Sequence, residues 1–296
     1  MEAKEYHRSF GVGSLVCFLC VMGLAVCHAM GSCDGVRRRL EVDGSERSQV
    51  SAFADRAVVL EACVASVADA VVAVQNGAQR LELNVGIELG GLTPTVGLLG
   101  QVKEAVDVPV LVLVRPRAGG FCYSPSEKRL MIRDAHAFMD MGADGIVTGA
   151  LSPDGLLDKR FVESMREVCR EGELVFHRAF DLLQGHSDGI EELVALRADR
   201  ILTSGGETSA LAGAVRIAEL LKLADGRISI LPGGGICSKT VGALLEATGC
   251  SQVHGTFKMQ RVDPDGNVGS GSYPAVDSEE VKAVRGVLDR YRLEAL

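Results

Sequence analysis

From residue 58 onward the chain alternates between two patterns. Short apolar runs rich in β-branched residues are separated by longer stretches with amphipathic, helical spacing. The apolar runs predict strands over Val58–Cys63, Arg80–Val85, Val110–Arg115, Gly145–Thr148, Leu174–Arg178, Arg200–Thr203, Ile228–Leu231 and Gln252–Thr256. Helices are expected in the gaps, most clearly over Val67–Gln75, Leu130–Met141, Phe161–Cys169, Ala210–Leu223 and Thr240–Ala247. A last helix, Ser278–Tyr291, opens with Ser278, Glu279 and Glu280, residues suited to a helix N-terminus. Eight strands each followed by a helix predict an α/β fold of the TIM (β/α)8 barrel type. The competing doubly wound sheet usually has a Gly-rich turn after its first strand, and Val64-Ala65-Ser66 stands there instead. Asn76-Gly77-Ala78 and Met141-Gly142-Ala143 each end a helix on glycine and feed the next strand.

Ahead of the barrel the pattern breaks. Residues 10–30 are apolar and uncharged apart from His28, and residues 31–56 are polar. The expected organisation is an N-terminal apolar segment and flexible linker over 1–57, then one barrel domain over 58–296. The apolar stretch reads as a signal peptide, a membrane anchor or a leader upstream of a start at Met30. Its length is marginal for a span of roughly 20 residues. Glu2 and Glu5 before it and Arg37-Arg38-Arg39 after it argue against export. The expected location is therefore cytoplasmic, with tethering to a membrane through residues 10–30 as the alternative.

Composition narrows the chemistry. With no Trp and 4% aromatic residues, the core must pack on Val, Leu, Ile and Ala. A formal charge of −8 without a long basic run excludes a nucleic-acid face. The nine Cys form no paired CxxC or CxxC/HxxxH pattern, which sets aside structural zinc and reads as reduced, intracellular thiols. No Lys lies within a predicted strand, against a Schiff-base aldolase. GxSxG, Walker and dinucleotide motifs are missing. Self-association into a homo-oligomer is compatible with the sequence.

The candidate site follows from strand parity. Glu61 and Cys63 share a face, as do Glu82 and Asn84, and Arg115 and Arg117. His177 and Asp181 share one if the fifth strand stays extended, Arg178 stands beside them, and the eighth strand ends in His254. All lie toward C-terminal strand ends, where barrel enzymes place their sites. Each taken singly is as well explained by ion pairs that seal the barrel. Together they are more polar than closure requires. Glycine loops follow three strands: Gly205 after the sixth, Gly233, Gly234 and Gly235 after the seventh, and Gly255 beside His254 in the eighth. In barrels the loops after strands seven and eight often bind phosphate, so these glycines and His254 are candidate anion- or cofactor-binding positions. The alternative is tight-turn geometry only.

The segments LEACVAS (60–66), GGLTPTVGLL (90–99), VLVRPRAGGFCYS (112–124), DGIVTGAL (144–151), VFHRAFD (175–181), RILTSGG (200–206) and LPGGGI (231–236) together resemble the CutC family of copper homeostasis proteins, over roughly residues 58–291. The resemblance implies a TIM barrel, a cytoplasmic location and a part in copper handling through binding of copper ions. It also implies Cu(I) ligation by two Cys on neighbouring strands. Cys63 matches the first position, and Asn84 stands at the second. Read from the residues instead, the chain is a barrel enzyme acting on a small anionic metabolite, phosphorylated or not. His177 or Glu61 would then be general acid or base, Glu82 and Asp181 further carboxylates of the site, and Arg115 and Arg178 anion clamps. On that reading the site holds no metal, or a hard divalent ion on Glu61, Glu82 and His254.

Overall fold

The computed structural model describes residues 58–262 and 271–291. The N-terminal apolar segment and linker lie outside the described residues. Eight parallel strands form the barrel: β1 Val59–Val64, β2 Arg80–Leu83, β3 Val110–Leu113, β4 Gly145–Thr148, β5 Glu173–Phe176, β6 Arg200–Thr203, β7 Ser229–Pro232 and β8 Gln252–Gly255. They pair in the order β7-β6-β5-β4-β3-β2-β1-β8. A parallel bridge between Gly233 and His254, and a bond from Gln252 Nε2 to the Ile230 carbonyl at 3.2 Å, draw β7 and β8 together.

The helices lie outside: α1 Val67–Gln75, α2 Val96–Ala105, α3 Pro125–Asp140, α4 Lys159–Cys169, α5 His186–Ala195, α6 Ala214–Ala224, α7 Val241–Thr248 and α8 Ser278–Arg290. Side chains cap several first turns: Ser66 on α1, Thr95 on α2, Asp158 on α4 and Asp277 on α8. Helix α3 starts five residues before the sequence expectation, because Ser124 and Glu127 form a capping box with Pro125 at the first turn. Helix α6 starts later than expected. The Ala210 N–H is spent on the Gly234 carbonyl at 2.9 Å, outside any helix, so residues 210–213 turn instead. Beyond β8, Lys258–Val262 (β9) and Ser272–Val276 (β10) pair as an antiparallel hairpin that the hydrophobic pattern did not announce.

Strand parity divides the core as expected. Leu60, Ala62, Val64, Leu81 and Leu83 face the helices in the large outer core. Inside the barrel the filling is uneven. One side is mostly apolar, built from Leu111, Leu113, Val147, Val175, Leu202 and Leu231, with buried Arg200 paired to Glu173 at the starts of β6 and β5. The other, along β8, β1 and β2, carries buried Glu61, Arg80, Glu82, Gln252 and His254. Among the described residues, no helix is long and apolar enough to cross a membrane.

Candidate functional site

A cavity of about 380 Å³ opens at the C-terminal ends of the strands. Its β8–β1–β2 wall presents Cys63, Glu82, Asn84 and His254; the facing wall presents His177 and Arg178 over Leu113 and Leu202. Loop side chains Phe121 and Leu182 flank the opening. The Cys63 sulfur, a Glu82 oxygen and a His254 nitrogen all lie within 4.8 Å of one another, and all three residues are buried.

This wall is built on a deeper ionic layer. Strand pairing sets Glu61 opposite Arg80 on β2 and opposite His254 on β8. The Glu61 carboxylate accepts from Arg80 Nε and lies 2.7 Å from His254 Nδ1. Arg80 is completed by Gln252 Oε1 at 2.8 Å. Burial alone would raise the Glu61 carboxyl, but Arg80 and His254 bring it down to about 2. Burial opposes charge on His254, yet Glu82, Cys63 and Glu61 outweigh it and raise its pKa well above the usual value. Burial pushes the Cys63 thiol and the Glu82 carboxyl up. Asn84 Nδ2 donates to Cys63 Sγ at 2.7 Å and to Glu82 Oε1 at 3.1 Å, while its Oδ1 is buried without a partner. Glu61 thus sits beneath the cavity, not in it. Its place is that of a carboxylate orienting a histidine that lines the cavity beside Cys63.

The donor set answers whether a metal fits. One thiol and one imidazole are good copper donors, and the carboxylate is a harder third ligand. Cys63, His254 and Glu82 could hold an ion with this mixed character. Among the described residues no second thiol joins Cys63, since Asn84 is its neighbour at the end of β2 and Cys122 lies exposed in the third loop.

The opposite wall is organised differently. The fifth strand does not stay extended to Asp181: a 3₁₀ turn, Arg178–Leu182, begins straight after His177. The cause is local, because His177 Nδ1 accepts the Ala179 N–H at 3.2 Å and caps the turn. Its ring stacks against Phe121 with centroids 4.7 Å apart. A Cβ at Gly149 would meet Nδ1 at 2.6 Å, so only glycine leaves room for the ring. Burial and the nearby Arg115 guanidinium lower the His177 pKa to about 3. Its Nε2 is buried with no partner.

Asp181 turns away to hold the loop after β6. It accepts from Thr203 Oγ1 at 2.5 Å, from Ser204 N and Oγ, from Gly206 N at 3.2 Å and from Arg178 Nε at 2.9 Å. Arg115 lines the cavity, but its Nη atoms are occupied by the carbonyls of Leu89, Gly91 and Gly119 at 2.8–2.9 Å, so it ties two loops together. Among the glycines, Gly205 donates to Thr203 Oγ1 at 2.9 Å, and a Cβ on it would strike the Gly213 carbonyl at 2.6 Å. Gly234 and Gly235 have φ of +107° and +70°, a turn that other residues rarely adopt. A Cβ on Gly233 would meet Leu202 at 2.6 Å, and one on Gly255 would meet Phe257 at 2.3 Å. Just beyond the triglycine, the Ser238 N–H and hydroxyl are already taken by the Glu280 carboxylate at 2.6 and 3.1 Å. These glycines therefore have packing and turn roles of their own, and an anion at the seventh loop would compete with Glu280.

Comparison with known proteins agrees with this geometry. The model of the CutC family matches residues 58–259. A CutC family protein from Treponema denticola is 42% identical over 230 residues, covering 76% of this chain and 94% of its own. A human protein named copper homeostasis protein cutC homolog is 39% identical over 225 residues, covering 76% of this chain and 81% of its own. The crystal structure of a CutC from Streptococcus agalactiae superposes with a TM-score of 0.63 at 28% identity, covering 67% of this chain and 98% of that one. The eight-stranded barrel and the level of identity together show that this chain belongs to the CutC family.

Proposed function

We propose that this protein takes part in copper homeostasis by binding a copper ion at Cys63, Glu82 and His254. The observation that carries the reading is the convergence of those three donor atoms within 4.8 Å on the wall of an open cavity. The names of the human and mouse relatives support copper as the ion. Glu61 would orient His254, and Asn84 would stabilise the thiolate formed when the ion displaces the Cys63 proton. The five free cysteines among the described residues accord with action in the reducing cytoplasm. The test is a Cu(I) titration of the reduced full chain against a competing chelator. Cys63→Ala should bind at least ten-fold more weakly, a change of about 1.4 kcal/mol, whereas Cys169→Ala, buried away from the cavity, should bind as the parent does. Equal affinities for parent and Cys63→Ala would end the proposal.

A second reading has an observation of its own. A cavity of about 380 Å³ is far larger than an ion, and ligand pockets of ≈ 300–1,000 Å³ normally take small molecules. On this reading the site acts on a small anionic metabolite by general acid–base chemistry, with Arg178 as the anion clamp. Thermal-shift screening of phosphorylated sugars and carboxylates tests it, the result against it being no stabilisation that depends on Arg178.

A further inference from the structure

We infer that His177 serves the cavity as a neutral hydrogen-bond donor, not as a base, and that the small molecule it meets is a short 2-oxo acid. The inference rests on the metabolite reading and adds the ligand class and the role of His177.

Tautomer assignment comes first. A neutral imidazole has one N–H and one lone pair. In His177 the lone pair is on Nδ1, because Nδ1 accepts the Ala179 N–H that opens the 3₁₀ turn. The proton is therefore on Nε2. Protonating the ring would set an Nδ1–H against the Ala179 N–H, two donors facing each other. Arg115, whose guanidinium lies over the same Phe121 ring at 5.3 Å, adds repulsion to any positive charge there. The ring is thus held neutral by a hydrogen bond, by burial and by a neighbouring cation.

The Nε2–H donor is then left without an acceptor. Among the described residues nothing accepts from it, although the residue is 5% exposed and lines the cavity. A buried donor left unmatched carries a desolvation penalty, so its natural partner is a ligand oxygen. A neutral imidazole N–H polarises a carbonyl without itself giving up a proton. The adjacent Arg178 supplies the second anchor. Its Nε and Nη2 are bound to Asp181, Ser204 and the Glu207 carbonyl, and its Nη1 makes no hydrogen bond among the described residues. Being tethered, the guanidinium is already ordered to receive a carboxylate. Apolar Leu113, Phe121, Leu182 and Leu202 leave space for a short hydrocarbon stem. A carbonyl acceptor, a carboxylate and a short apolar tail describe a small 2-oxo acid. The same assignment keeps His177 out of the metal cluster, because its lone pair is already committed.

The test uses 2-oxobutyrate as probe, with butyrate as the comparator that lacks only the keto oxygen, on the metal-free full chain by calorimetry. The parent should bind 2-oxobutyrate about ten-fold or more tightly than butyrate. His177→Phe should abolish the difference, and His177→Gln, which keeps an N–H donor, should retain part of it. In ¹⁵N spectra of the parent, His177 should show the Nε2–H tautomer from pH 5 to 8. Binding of 2-oxobutyrate that ignores His177→Phe, or a His177 that titrates within that range, overturns the donor role and leaves the metabolite reading standing. Absence of saturable 2-oxobutyrate binding to the parent overturns the ligand class. If the carboxylate and sugar-phosphate screen also fails, the metabolite reading falls with it.

Discussion

The two walls of the barrel mouth solve the burial of polar groups in opposite ways. Along β8, β1 and β2 polarity is compensated internally except at Asn84 Oδ1: Glu61 is shared between Arg80 and His254, and Cys63, Glu82 and Asn84 lean on one another above them. Along β3, β5 and β6 the interior beyond the Arg200–Glu173 pair at the strand starts is apolar, and the buried imidazole of His177 is held neutral with a donor unmatched. A compensated wall suits an ion, whose arrival displaces protons and leaves the scaffold in place. An uncompensated donor over apolar surface suits an organic ligand. The two functional readings correspond to the two walls, so experiments that separate the walls also separate the readings.

The largest effect should come from breaking the compensated wall at its base. Glu61→Gln keeps the shape of the side chain but leaves Arg80 buried without a counter-charge, which should destabilise the fold by about 3–5 kcal/mol at pH 7. The pH dependence has a definite sign. The Glu61 carboxyl is lowered from 4.5 to about 2, so its contribution is fully present above pH 4.5 and is lost as pH falls toward 2. Denaturant unfolding of parent and variant should therefore show a stability gap that closes between pH 4.5 and 2. A gap of constant size across that range would mean that the charge is not what holds this wall.

A comparable change on the apolar wall should behave differently. Leu231 is fully buried inside the barrel beside Leu202, and Leu231→Ala should cost about 2–4 kcal/mol through lost transfer energy and the cavity left behind. The change removes no charged group, so the loss should be flat with pH. An acid-sensitive loss at Leu231 would show that the two walls are not independent.

How much of this contrast was legible in the chain follows from range. Strand parity is a local, two-residue property, so the inward placement of Glu61, Cys63, Glu82 and Asn84 could be read directly. The same parity placed Arg80 inward with Glu82, a signal that could have exposed the Glu61–Arg80 pair but was overlooked. The turn after His177 was hidden, because no Gly or Pro follows it to stop the strand and the turn opens on the Ala179–Nδ1 bond. Arg115 lines the cavity, but its loop-tying bonds were not legible, for a further reason. Its partners are backbone carbonyls of distant loops, and backbone acceptors leave no trace in residue identity. The β9–β10 hairpin was invisible because every residue of β9 is exposed, so no alternation marks it.

His177 gives a smaller, directional effect that sharpens the apolar wall. Its pKa is lowered from 6.5 to about 3, so between those values the unfolded chain binds the extra proton and stability rises with pH. Glu82 and His254, both raised in the folded state, change stability with the opposite sign near this range, so His177 is read from the difference between parent and variant over pH 5–6.5. Over that window the parent should gain stability relative to His177→Gln as pH rises, read in urea midpoints. Equal slopes would mean that the ring titrates freely in the folded protein.

The smallest effect on stability should come from Asn84→Cys, which converts the compensated wall into a two-thiol wall. The substitution removes two donor bonds, to Cys63 and Glu82, each worth about 0.5–1.5 kcal/mol. It also removes the buried Oδ1 that has no partner, an atom whose burial costs about 1–3 kcal/mol. The terms nearly cancel, so the unfolding free energy should move by less than about 1 kcal/mol. Affinity for Cu(I) should nevertheless rise by about ten-fold, because a second soft thiolate replaces an amide beside Cys63. A stability change this small paired with a large gain in affinity would show that position 84 faces the ion. No gain in affinity would mean that the donors of this wall do not meet on one ion, and the copper reading would then lose its geometric basis while the oxo-acid reading of the opposite wall stood unaffected.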